Sequence, residues 1–106
     1  MQPRIDLSAD DRRRFVIAFE RAVQEISTVR SVRIGRRVTH GAGYEQDMPG
    51  TGAYIAIIDF DDVAGLQTYL RHPAHEELGR LFSESLSSAL VYDFEVGGLE
   101  GLADLI

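Results

Sequence analysis

A chain of 106 residues has room for one domain and one core. Its 17 acidic against 11 basic side chains leave a net charge of −6, which argues against nucleic acid or an anionic membrane as the main partner. Cysteine is absent, which excludes a disulfide framework and a thiolate metal site alike. The longest apolar stretches reach about six residues where a membrane span needs about 20, and Met1 to Asp6 holds no apolar leader. A single domain over residues 1–106 is expected, with its core at about 7–96, a tail at 97–106 and a cytoplasmic location.

Ser8 reads as a helix N-cap, with Asp10 and Asp11 in the first turn. Phe15, Phe19, Ala22, Val23 and Ile26 then recur at helical spacing, which predicts an amphipathic helix over residues 9–27. Arg12, Arg13 and Arg14 follow two aspartates and read as a solvated face of that helix. From residue 29 to 39 the period shortens to two. Val32, Ile34 and Val38 face one way and Arg33, Gly35 and Arg37 the other, as in a strand. Residues 40–52 hold four glycines and a proline and read as a long loop. Residues 54–60 are apolar on both faces, the mark of a strand covered on both sides.

Residues 61–89 carry a helical stripe of Val63, Leu66, Tyr69 and Leu70, then Leu78, Leu81, Phe82 and Leu86. Pro73 interrupts it. A proline inside a helix costs roughly 3 kcal/mol, because it lacks an N–H and its ring meets the carbonyl four residues back. The chain avoids that cost by ending one helix near Leu70–Arg71 and starting another with Pro73 at its first position. His72 and His75 flank the break and are aimed away from the helical faces on either side. Residues 90–96 alternate again, with Leu90, Tyr92, Phe94 and Val96 on one side and Val91, Asp93 and Glu95 on the other, predicting a third strand that ends at Gly97–Gly98.

Tyr69-x-x-His72-Pro73-x-His75, placed after an Asp-capped helix and before a Val-Tyr-Asp-Phe strand, resembles the stress-responsive α/β-barrel domain family of the dimeric α+β barrel superfamily. The resemblance spans roughly residues 7–95. It implies an α+β, ferredoxin-like sandwich that pairs with a second copy to form a homodimeric α+β barrel, which accounts for the doubly apolar strand at 54–60. It also implies an apolar first strand ahead of the first helix. Met1 to Leu7, with Pro3, Arg4 and Asp6, makes a poor one, so the first strand is expected to be missing or truncated. Either the true start lies upstream of Met1 or the tail at 99–106 compensates.

One plant branch of that family is a polyketide cyclase that promotes an aldol-type closure. By resemblance its histidine base corresponds to His75 and its tyrosine partner to Tyr69. Histidine titrates near neutral pH and suits proton abstraction beside a carbonyl, while a tyrosine hydroxyl can hold an enolate oxygen. Tyr54, His72 and Tyr92 join them as candidate ligand-binding residues. Structural roles compete at each position: His72 as a helix cap, His75 as a satisfied first-turn residue and Tyr69 as core.

A metal on His72 and His75, with Glu76 or His40 as third ligand, is disfavoured by the intervening proline, and no metal or other cofactor is expected. Asp59, Asp61 and Asp62 suit helix capping better than cation binding. Gly41-x-Gly43 opens no helix, and the serines at 83–88 lack a nucleophile elbow. The expected function is a small-molecule-binding dimeric barrel, a cofactor-free cyclase or isomerase acting on a polyketide-like or other apolar carbonyl compound. The alternative is a non-catalytic, stress-associated protein whose role is dimer or higher-order assembly. Its partners are thus a second copy of itself and a small apolar ligand, with neither nucleic acid nor membrane.

Overall fold

A computed structural model describes residues 1–48, 50 and 52–106. The elements run β1 (Gln2–Pro3), α1 (Ala9–Glu25), β2 (Val29–Arg36), β3 (Tyr54–Phe60), α2 (Val63–Arg71), α3 (Pro73–Ser85), β4 (Leu86–Ser88) and α4 (Leu102–Leu105). This is a β-α-β-β-α-β order with the second helix split in two. A 3₁₀ helix, Gly43–Asp47, lies within the expected loop at 40–52, whose Pro49 and Thr51 lie outside the described residues.

The helices start where their capping residues place them. The Ser8 hydroxyl accepts the Asp11 N–H at 3.0 Å and the Asp62 carboxylate accepts the Gly65 N–H at 2.8 Å. Each satisfies a donor that a first turn leaves without an intrahelical acceptor. Gly65 also marks the close approach of α2 to the start of β2. A Cβ there would stand 3.3 Å from Asp62 Oδ1 and 3.5 Å from Thr28 Cβ, and Thr28 Oγ1 donates to the Gly65 carbonyl at 2.8 Å.

The core is the seam between α1 and α3, closed at one end by α2. Ala18, Ala22 and Ile26 meet Tyr69, Ala74, Leu78 and Leu81, with Phe15, Phe19, Ile58, Phe60 and Phe82 packed around them. It is a thin core. Three of its buried residues are alanines, and Leu78 is its one large side chain with less than 2% of its surface exposed. Opposite the seam, the arginines of α1 are solvated and pair locally, Arg13 with Asp10 and Arg14 with Asp11.

The strands correct the predicted architecture. β2 and β3 form one antiparallel pair, from Val29↔Phe60 to Arg36↔Tyr54, and β1 and β4 form another, with Gln2 opposite Ser88. The two sheets are separate, and neither closes into the expected barrel. Between the two sheets stands β1, Gln2–Pro3. As a strand of two residues it reaches β3 at a single point, where the Met1 ammonium donates to the Tyr54 carbonyl at 2.7 Å and the Tyr54 N–H donates to the Met1 carbonyl at 3.2 Å. Past that point the outer edge of β3 has no hydrogen-bonding partner among the described residues.

The predicted third strand is also displaced. The strand following α3 is Leu86–Ser88, at the end of the expected helical stripe, and residues 90–97 run on without a ladder. Alternation gives a segment two faces, but it becomes a strand only beside a partner edge. Here β1 offers partners to Leu86 and Ser88 and ends there. Leu90, Val91, Tyr92, Phe94 and Val96 are consequently 69–83% exposed.

Candidate functional site

The proline break builds the one place where the aromatic and titratable candidates meet. Pro73 sits at the start of α3, and His72 before it is extended at φ −71°, ψ 140°. His72 serves both helices. Its N–H donates to the Tyr69 carbonyl at 3.2 Å, its carbonyl accepts from His75 and Glu76, and its Nδ1 accepts the Ala74 N–H at 3.0 Å. The ring is thus turned back onto the first turn of α3 and away from the groove described next.

His75, one turn further on, lies against Tyr69 with ring centroids 4.6 Å apart, and Tyr69 lies against Phe60 at 5.1 Å. Such tilted contacts are worth about 0.5–1.5 kcal/mol beyond the area they bury. Tyr69 is only 5% exposed, and burial pushes its phenol above the usual value. Its hydroxyl makes no hydrogen bond to His75 or to any other described residue. The two rings meet at an angle of 60°, a tilted packing contact and a different arrangement from a base and acid joined through a shared proton.

Around this stack runs an open groove of about 230 Å³. Met1 stands at one end. Tyr54, Ile58 and Phe60 of β3 form one wall, and residues 90–93 form the other. Its floor comes from the helices, through Phe19, Leu66, Tyr69, His75, Leu78 and Phe82. Four of the five sequence candidates line it: Tyr54, Tyr69, His75 and Tyr92. Tyr54 and Tyr92 form its solvated rim, at 45% and 69% exposure. His72 stands apart.

Sequence reasoning missed the apolar floor. Phe19, Leu78 and Phe82 belong to helical stripes and carry no mark that separates groove from core. It also missed the order imposed on residues 40–45. The Glu45 carboxylate accepts the His40 N–H at 2.8 Å and the Gly41 N–H at 3.3 Å, and these bonds hold it below the usual carboxylate range. Tyr44 Oη lies 3.3 Å from His40 Nε2. The spacing of His40, Tyr44 and Glu45 was the available signal. The aspartates at the other end of β3 are engaged within the fold: Asp62 caps α2, Asp61 pairs with Arg30 at 2.7 Å, and Asp59 contacts Ser31 and Arg33.

Among the described residues no group of three or more potential ligands is placed to hold a metal ion, and no helix is long and apolar enough to cross a membrane. Residues 6–96 match the model of the family described as Stress responsive A/B Barrel Domain. Among solved structures, the chain is similar to a dimeric protein of unknown function and ferredoxin-like fold from Bacteroides fragilis NCTC 9343. The two are 25% identical with a TM-score of 0.52, and the match covers 88% of each chain. No curated protein matches the chain.

Proposed function

The chain belongs to the stress-responsive A/B barrel domain family, and we propose that it is a stress-associated protein that acts through assembly with further copies of itself rather than through catalysis. The observation that carries this reading is the surface left uncovered. The chain exposes 8342 Å², roughly 2,400 Å² more than the ~5,900 Å² of a compact monomer of its 11.8 kDa mass. An obligate dimer hides at least about 1,000 Å² per subunit, so the excess is ample for one. The excess is apolar where it is concentrated: Ile55 and Ile57 on the free face of β3, and the 90–96 segment. Patches of that kind on a single chain mark interaction surfaces. The similar Bacteroides fragilis protein is described as dimeric, which supports a second copy as the partner.

If folding and association are one event, the melting temperature rises with protein concentration, because mass action favours the associated folded state. Thermal melts from micromolar to hundreds of micromolar test this. A melting temperature independent of concentration would overturn the proposal.

A second reading rests on the convergence of Tyr54, Tyr69, His75 and Tyr92 on one groove. In it the groove holds a small apolar carbonyl compound, with His75 as base and the Tyr69 hydroxyl as the enolate's partner. A compound present at 100 times its Kd adds about 2.7 kcal/mol of stability to the state that binds it. Thermal-shift screening of apolar ketones and esters beside His75→Ala separates the readings. Stabilisation that disappears in the variant, with fold and mass unchanged, selects the groove. A variant that is merely less stable, with no compound binding either protein, selects assembly.

A further inference from the structure

We propose that the helical segment 99–106 of one copy docks on the uncovered end of the β2 face in a second copy, its leucines against Ile34 and Val38 and its acids beside Arg36. This deepens the assembly reading and rests on it. The segment lies beyond residues 6–96, the span that matches the family.

The segment is a two-sided helix with nothing against its apolar side. A 3₁₀ turn, Leu99–Gly101, runs directly into α4. At helical spacing Leu99, Leu102, Leu105 and Ile106 share one side, and Glu100 and Asp104, four residues apart, lie on the other. Leu99 and Leu105 are 83% and 81% exposed and Leu102 is half-exposed. Among the described residues no hydrogen bond joins residues 98–106 to the rest of the chain, and neither acid has an ion-pair partner. A helix this short is marginal in water by itself and depends on packing its apolar side against another surface.

The far end of β2 supplies the complement. Register sets Val32 opposite Ile58 and Ile34 opposite Ala56, on the side of the sheet that carries the helices. Helix cover reaches Val32 and Ile58, which are half-buried, and stops there: Ile34 is 61% exposed. Arg36 follows on the same side. The Arg37 N–H still donates to the Ala53 carbonyl at 2.8 Å, so the alternation carries on to Val38, which is 73% exposed. Four of the 11 basic side chains of this acidic chain fall within residues 30–37. Arg30 and Arg33 are engaged with Asp61 and Asp59, whereas Arg36 has no ion-pair partner among the described residues. The ledge is thus apolar at both ends with a cation between them, matching leucines flanked by acids. Lengths agree, at about 12 Å for the eight-residue helix and about 13 Å from Ile34 to Val38. The turn beyond the ledge is already ordered by the bonds of Glu45 to the His40 and Gly41 N–H groups, which lowers the cost of docking there. Within one chain the two surfaces lie apart, since residues 90–93 face β3 across the groove and β2 flanks β3 on its other edge. Each copy carries both surfaces, so reciprocal docking closes as a two-fold dimer.

Charge reversal tests the contact in full-length chains by sedimentation equilibrium at low ionic strength. Arg36→Glu and Glu100→Arg are each expected to raise the dimer dissociation constant by about 10-fold, a roughly threefold loss at each of two equivalent contacts. Combined in one chain, they are expected to restore it to within about threefold of the native value. All three leave the helical circular dichroism unchanged, because both residues are exposed and stand outside the core. The chain has no native cysteine, so single cysteines report which chains meet. Ile34→Cys and Leu102→Cys chains are unfolded together, refolded and oxidised, and docking predicts a disulfide between the two different chains, at twice the monomer mass on a non-reducing gel. A disulfide that forms only when both cysteines share one chain, at monomer mass, overturns the inference. So does a dimer that is indifferent to both reversals, or one weakened by each and not restored by the pair, although assembly itself then stands. A chain that is monomeric throughout overturns both.

Discussion

At the junction of α2 and α3 the His72 ring accepts the Ala74 N–H through Nδ1, its one side-chain hydrogen bond among the described residues. His72→Ala is expected to lower stability by about 1 kcal/mol, as lost N-caps do, while His72→Asn keeps most of it; urea melts measure both. Tyr69 carries a pH signature instead. Burial raises its phenol above the ordinary value of about 10, so the unfolded chain ionises first as the pH climbs. The stability it contributes is whole below about pH 10 and is lost as pH rises through the higher folded value. Tyr69→Phe should therefore lose less stability than the native chain as the pH climbs above about 10, and the phenolate absorbance it removes should have its midpoint above 10. Much of the candidate site was legible at this scale, because a proline fixes where the next helix must begin and thus where His75 stands relative to Tyr69. His72 escaped the groove for the same local reason. A histidine just before a helix finds a backbone N–H two residues on more readily than a ligand across a groove.

Among the elements, α1, β2, β3 and the split helix pair follow from periodicity and punctuation, since one covered face is enough to impose a 3.6- or 2-residue rhythm. The α1–α3 seam should respond accordingly. Leu78→Ala, deep in it, is expected to cost about 2–5 kcal/mol, whereas Val63→Ala on the solvated start of α2 should cost only a few tenths. Denaturant melts of the two variants check the contrast. Two features were illegible. β4 is Leu-Ser-Ser and pairs with Gln2–Pro3 across more than eighty residues, so neither partner has a rhythm of its own to read. Residues 90–96 have the rhythm without the ladder. Alternation records which face is apolar and is silent on whose edge completes it.

For the whole molecule, the same deficit appears as shape. The radius of gyration is 16.0 Å, against about 13 Å for a compact chain of this length. A thin seam, and a 90–96 segment that forms one wall of the groove while most of its apolar surface stays exposed, describe a chain whose core is sparsely covered. The fold and its groove are accounted for together if a further copy finishes it. Sedimentation equilibrium of the full chain across micromolar to hundreds of micromolar concentrations tests this most directly. The account predicts a mass of twice 11.8 kDa, or a larger multiple, falling toward one chain only on dilution. A single-chain mass at every concentration, from a protein that is folded throughout, would contradict it.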